Sequence, residues 1–161
     1  MHKATRGGHT STVELLLSKG ASVEPPDRCK RVPLHDAARN GRSSMVELLL
    51  LKGASIEAMD EFKMTPLHHA VSGGHTSTVE LLLLKGASIE AMDESKWTPL
   101  HFAACHDQLL TVELLLSKGA STEAMNSFSK TPLGLATSFG HFDTAKLLQD
   151  KAAKLASPEN I

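Results

Sequence analysis

Apolar positions recur along this chain in blocks 33 residues apart. Thr65-Pro66-Leu67-His68, Thr98-Pro99-Leu100-His101 and Thr131-Pro132-Leu133-Gly134 fall in register, with Val32-Pro33-Leu34-His35 one period earlier. After a gap, each leads into an apolar run such as Val46-Glu47-Leu48-Leu49-Leu50, which closes on Lys-Gly-Ala or a near copy. A fixed period of this length marks a tandem array, in which neighbouring units bury a thin continuous core and chain length counts units.

Each block predicts two helices. Thr65-Pro66, Thr98-Pro99 and Thr131-Pro132 put a capping hydroxyl before a proline at the first helical position, where the missing N–H is harmless. The short helix that follows carries Ala37, Ala70 or Ala103, small enough for close packing, and stops near Gly41, Gly74 or Gly140. Ser11-x-x-Glu14, Ser44-x-x-Glu47 and Ser77-x-x-Glu80 read as capping boxes opening a second helix. The runs Leu48 to Leu51 and Leu81 to Leu84 are too wide for one stripe and predict burial on most sides. Lys52, Lys85 and Lys118 fall in the last turn before Gly53, Gly86 and Gly119. The units are a partial one at 1–29, then 30–62, 63–95, 96–128 and 129–161, together one repeat domain over 1–161.

Composition narrows the class. Lys and Arg number 17 against 18 Asp and Glu, a formal net charge of -1, so neither nucleic acid nor membrane is an expected partner. No apolar run approaches the roughly 18 residues of a membrane span, and the amino terminus lacks the apolar core of a signal peptide. The expected setting is the cytosol or nucleus, as a monomer. Cys29 and Cys105 lie more than two units apart, beyond disulfide reach, and are expected as thiols.

Thr-Pro-Leu-His-x-Ala, the Gly-His at Gly74-His75 and Val-Glu-Leu-Leu-Leu-x-Lys-Gly-Ala make the chain resemble the ankyrin repeat proteins over nearly its whole length. The resemblance implies an all-α solenoid of stacked helix-turn-helix units with short β-hairpin fingers, and a concave groove of fingers and first helices that holds protein partners. The chain departs from the family at Lys30, Lys63, Lys96 and Ser129, which stand where a finger glycine is usual; the turn is then of another type, or strained. Gly53-Ala54-Ser55-Ile56-Glu57 replaces Gly-Ala-Asp-Val-Asn, with close copies at 86–90 and 119–123. The first unit, without its Thr-Pro start, reads as part of a longer array. The last helix is more polar, is expected to run towards Ala156 and reads as a solubilising cap.

Nine histidines invite a metal or catalytic reading. His35, His68 and His101 sit in the repeated signature, where the resemblance gives them scaffold hydrogen bonds, and His9, His75 and His141 fill the Gly-His position. His101, Cys105 and His106 offer at most three of the four ligands a zinc site needs. Glu47, Glu80 and Glu113, and Glu57, Glu90 and Glu123, repeat with the period and read as solvated ladders. No Gly-x-Ser-x-Gly, phosphate-binding loop or His-Glu-x-x-His occurs. The expectation is no catalytic residue, no metal and no cofactor.

What varies between units is the candidate surface. Around the finger the series is Arg28, Cys29, Arg31; Glu61, Phe62, Met64; Glu94, Ser95, Trp97; Ser127, Phe128, Lys130. On the first helix it is Asp36, Arg39, Asn40; His69, Ser72, Gly73; Phe102, Cys105, His106; Leu135, Ser138, Phe139. In the implied geometry these line one groove, cationic at its amino-terminal end and aromatic towards Trp97, Phe102, Phe128 and Phe139. Trp, Met and Arg are residues of binding faces. Phe62 and Phe128 belong either to that face or to gaps between fingers. The expected function is non-catalytic binding of a partner protein, with an architectural spacer or an inhibitory module blocking an enzyme cleft as alternatives.

Overall fold

The computed structural model describes residues 1–156, in ten helices and, among those residues, no strand. Two compact units divide the chain, Met1–Ser88 and Ile89–Ile161.

In the first unit, α1 (His2–Gly7), α3 (Pro33–Arg39) and α5 (Pro66–Ser72) pack in sequence, and α2 (Thr10–Ser18), α4 (Ser43–Leu51) and α6 (Thr76–Leu84) do the same behind them. The second unit repeats the plan with α7 (Pro99–Cys105) on α9 (Pro132–Ser138) and α8 (Leu109–Ser117) on α10 (Phe142–Ala156). Leu34, Ala37, Ala70, Val79 and Leu82 are fully buried in the first, and Ala103, Val112, Leu115 and Leu148 in the second. The alanines let first helices approach closely. The last helix does run on to Ala156.

His35 and His101 each tie a helix start to the next finger. The Val32 N–H donates to His35 Nδ1 at 3.0 Å, so Nε2 carries the proton and donates to the Ala58 and Met64 carbonyls at 2.9 and 3.1 Å. Likewise His101 Nδ1 accepts the Thr98 N–H at 3.2 Å while Nε2 faces the Lys130 carbonyl at 3.0 Å. Burial pushes the pKa of both rings down, in keeping with that neutral form. Where Gly134 takes the histidine's place, the Thr131 hydroxyl accepts the Gly134 N–H instead, at 3.1 Å.

Three expectations change. The second helices start two residues early, at Thr10, Ser43 and Thr76, with His9, Arg42 and His75 at the N-cap; Ser11, Ser44 and Ser77 therefore lie inside the helix and form no capping box. The leucine runs are buried on one side only: Leu49 and Leu82 are 0% exposed, whereas Leu51 and Leu84 stand 81% and 68% in solvent. Four consecutive residues, about 100° apart, sweep a full circle, and a helix on the outer layer cannot cover all of it. The glutamate ladder is a latch, since Glu24, Glu57 and Glu90 each accept the backbone N–H of Ser55, Ser88 or Ser121, one repeat on, at 2.7 Å.

The fingers are tight turns without strands. In the first, the Asp27 N–H donates to the Arg31 carbonyl at 2.9 Å, and Asp27 Oδ1 accepts the Cys29 and Arg31 amides, both at 2.9 Å. Asp60, Asp93 and Asn126 repeat the arrangement. With the side chain closing the loop, too little backbone is left for a ladder. Lys30, Lys63, Lys96 and Ser129 adopt φ of 58°, 60°, 58° and 55°, so the turn keeps the left-handed geometry without the glycine and carries the strain.

Candidate functional site

In the first unit, neighbouring fingers are joined by the Glu61 N–H donating to the Cys29 carbonyl at 3.0 Å. Arg28 is exposed beside this seam, and Phe62 is 50% exposed. Met64 is half-buried. Arg31 is held within its own finger, with Nε and one terminal nitrogen on Asp27 Oδ2 at 3.0 and 2.7 Å. Partial burial works against the Asp27 carboxylate, yet hydrogen bonds from Arg31 and the Cys29 amide hold its pKa below the usual value.

Two residues placed on this face by sequence are interior. Asp36 is 2% exposed and engaged by His2 at 2.6 Å and Arg6 at 3.8 Å from α1. His69 is 3% exposed, donates from Nε2 to Asp60 Oδ2 at 2.9 Å, and meets the His35 ring edge-on with centroids 5.0 Å apart. Their position varies between repeats because it is packed differently in each, not because it is free.

In the second unit, the Ser127 N–H joins the fingers by donating to the Ser95 carbonyl at 2.9 Å. Trp97, at the finger's exit, packs against Phe102 on α7 and over His101, with centroids at 5.2 and 6.1 Å. Finger and first helix thus present one half-buried aromatic pair. Phe128 is 68% exposed at the next fingertip, with Lys130 exposed beside it.

Four more candidates sit elsewhere. Each first helix begins at the finger and runs about 10 Å over seven residues, so Arg39 and Cys105, the last residues of α3 and α7, and His106 and Phe139, the C-caps of α7 and α9, lie at the far end. His106 Nδ1 contacts the Phe102 carbonyl at 2.8 Å, and Phe139 stacks on His141 with centroids 6.1 Å apart.

The chemistry of these residues is quiet. A hydrogen bond to Glu61 pushes the Cys29 thiol up, and burial does the same to Cys105, so neither is an activated nucleophile. Among the described residues no three His, Cys, Asp or Glu side chains converge as a metal site, and no helix is long and apolar enough to cross a membrane.

A family model described as ankyrin repeats, in three copies, matches residues 1–60, 44–126 and 67–158. The chain belongs to the ankyrin repeat family. Ankyrin repeats are in general protein–protein interaction modules and in general non-catalytic. No curated protein matches this chain.

Within this ankyrin repeat chain, sequence reasoning passed over the residues that shape the fingers. Asp27, Asp60, Asp93 and Asn126 share one position of the 33-residue period and were legible there as a turn-forming side chain. Met59, Met92 and Met125, 56%, 46% and 61% exposed, also share a position, next to each finger. Leu110 and Phe142 carry no repeat signal at all, being departures from it.

Proposed function

We propose that the finger faces of this ankyrin repeat protein bind a partner protein without catalysis. The observation that carries this reading is a contrast within the repeats: the Thr-Pro-Leu-His signature positions are buried, while the fingertip position changes from half-buried Cys29 and Ser95 to exposed Phe62 and Phe128. An exposed phenylalanine at a position that the other fingers fill with cysteine or serine does not serve the scaffold. In the first unit Arg28 provides long-range attraction for an acidic segment, and Phe62 an apolar contact. In the second, Phe128 and the Trp97–Phe102 pair provide anchors of the kind that dominate interface energies.

The turns are pre-closed by Asp27, Asp60, Asp93 and Asn126, so little ordering entropy is lost when a partner docks. Affinity capture comparing the chain with an Arg28→Ala, Phe62→Ala, Phe128→Ala variant, first shown to be folded by circular dichroism, tests the proposal. A protein retained by the original and lost by the variant supports it. Identical captures overturn it and favour the spacer reading.

A further inference from the structure

The turns between first and second helices change character in the second unit. At this place the first unit carries glycine and hydroxyl residues, Gly41-Arg42-Ser43-Ser44 and Gly74-His75-Thr76-Ser77. The second carries Asp107-Gln108-Leu109-Leu110 and Gly140-His141-Phe142-Asp143. Leu110 replaces Ser77 and is 69% exposed; Phe142 replaces Thr76 and is 84% exposed. Phe139, 58% exposed, precedes the same turn.

These two turns are bound together. His141 Nε2 donates to the Cys105 carbonyl at 3.0 Å, and the Thr144 hydroxyl donates to Asp107 Oδ1 at 2.8 Å. Leu110, Phe139 and Phe142 therefore belong to one rigid edge, at the opposite end of the first helices from the fingers. Asp107 holds φ 53° where the other turns use glycine, and its hydrogen bond to Thr144 explains that strain. Nothing comparable explains the exposed leucine and phenylalanines, since the scaffold closes the same turn with serine and threonine.

We infer that this edge is a second docking surface, and that its occupant is an amphipathic helix of a partner protein with basic residues flanking its apolar face. Two observations select that occupant. The first is area: at about 200 Å² per phenylalanine and somewhat less for leucine, the exposed portions come to roughly 400 Å², well short of the ~800 Å² per partner of a standard interface. That is too little for a stable dimer of this chain and suits one face of a short helix, with anchors three and four residues apart. The second is charge. Asp107 is 53% exposed and Asp143 is exposed beside the apolar residues. From residue 89 on, the chain has six lysines, no arginine and nine acidic residues. This edge attracts a basic helix and repels an anionic membrane surface.

The test uses a fluorescein-labelled helical peptide of leucine and lysine with leucine at three- and four-residue spacing, a scrambled peptide of the same composition, and a version with glutamate for lysine. The full chain is titrated beside Leu110→Ser/Phe142→Thr, which restores the residues found at Ser77 and Thr76 and so keeps the fold, and beside Phe62→Ala/Phe128→Ala. Saturable binding of the leucine–lysine peptide, at least tenfold weaker in the first variant and unchanged in the second, supports the inference. It is overturned if binding is absent, if the first variant binds as well as the original, or if the scrambled or glutamate peptide binds equally. Capture by neutral phosphatidylcholine vesicles that depends on Leu110 and Phe142, or a dimer in sedimentation that the same variant abolishes, would equally sink it by naming a different occupant.

Discussion

Asp60 divides its carboxylate between two tasks: Oδ1 accepts the Phe62 and Met64 amides that close the finger, and Oδ2 accepts from His69. Burial lowers the pKa of His69 from 6.5 to about 4, against the pull of Asp60, and its Nδ1 has no hydrogen-bond partner among the described residues. The unfolded chain takes up this proton near pH 6.5 and the folded chain only near 4. The contribution of His69 to stability is therefore complete above pH 6.5, declines as pH falls, and is exhausted below about 4. Denaturant melts between pH 7 and 4.5 should show His69→Phe, which installs the residue found at Phe102, with a shallower pH dependence than the original. An equal slope would remove His69 from the account. The finger lysines carry a separate signature. Lys63→Gly removes the side-chain penalty at φ 60° and should stabilise the fold by about 0.5–1 kcal/mol in urea denaturation, the ~1–2 kcal/mol of left-handed strain being offset in part by the entropy of glycine.

Among the elements, the second helices divide their leucines by face. Leu82 on α6 is fully buried and Leu84, two residues on, is 68% exposed, although both belong to one unbroken run. Leu82→Ala should lower unfolding free energy by about 2–5 kcal/mol, the range for a buried leucine that leaves a cavity. Leu84→Ser should change it by no more than about 0.5 kcal/mol. Equilibrium denaturation of both variants checks the assignment; similar losses at the two sites would mean that the outer face is covered in solution.

Taken whole, the chain segregates its charge and its aromatic residues. All five arginines lie between Arg6 and Arg42, while Trp97 and four of the five phenylalanines lie from residue 97 on. Residues 1–88 hold eleven lysines and arginines against nine acids, and the rest hold six against nine. A near-neutral total thus conceals two units of opposite sign. Partner capture that depends on Arg28 should weaken as salt rises from about 0.05 to about 0.5 M, because the screening length shrinks from above 10 Å to below 5 Å. Capture that depends on Phe128 should hold. Binding assays across that salt series, with Arg28→Ala and Phe128→Ala side by side, separate the two contributions.

The sequence by itself determined the period, the helix starts at Pro33, Pro66, Pro99 and Pro132, and the family, because these rest on local rules: a proline at the first turn, an N-cap threonine, a glycine after the last. It also showed which positions vary. Tertiary structure decided what variation means. Asp36 and His69 vary yet are buried, since His2 and Arg6, about one repeat back, cover the one, and Asp60 and His35 enclose the other. Glu57 looks solvated in sequence and becomes a latch because Ser88, 31 residues on, brings its amide to 2.7 Å. Phe62 and Phe128 keep their exposure because each finger closes on its own aspartate or asparagine and leaves the next side chain outside. Where burial is set by neighbours about one repeat away, as at Asp36 and for the His35 side of His69, a residue's own sequence context does not contain them.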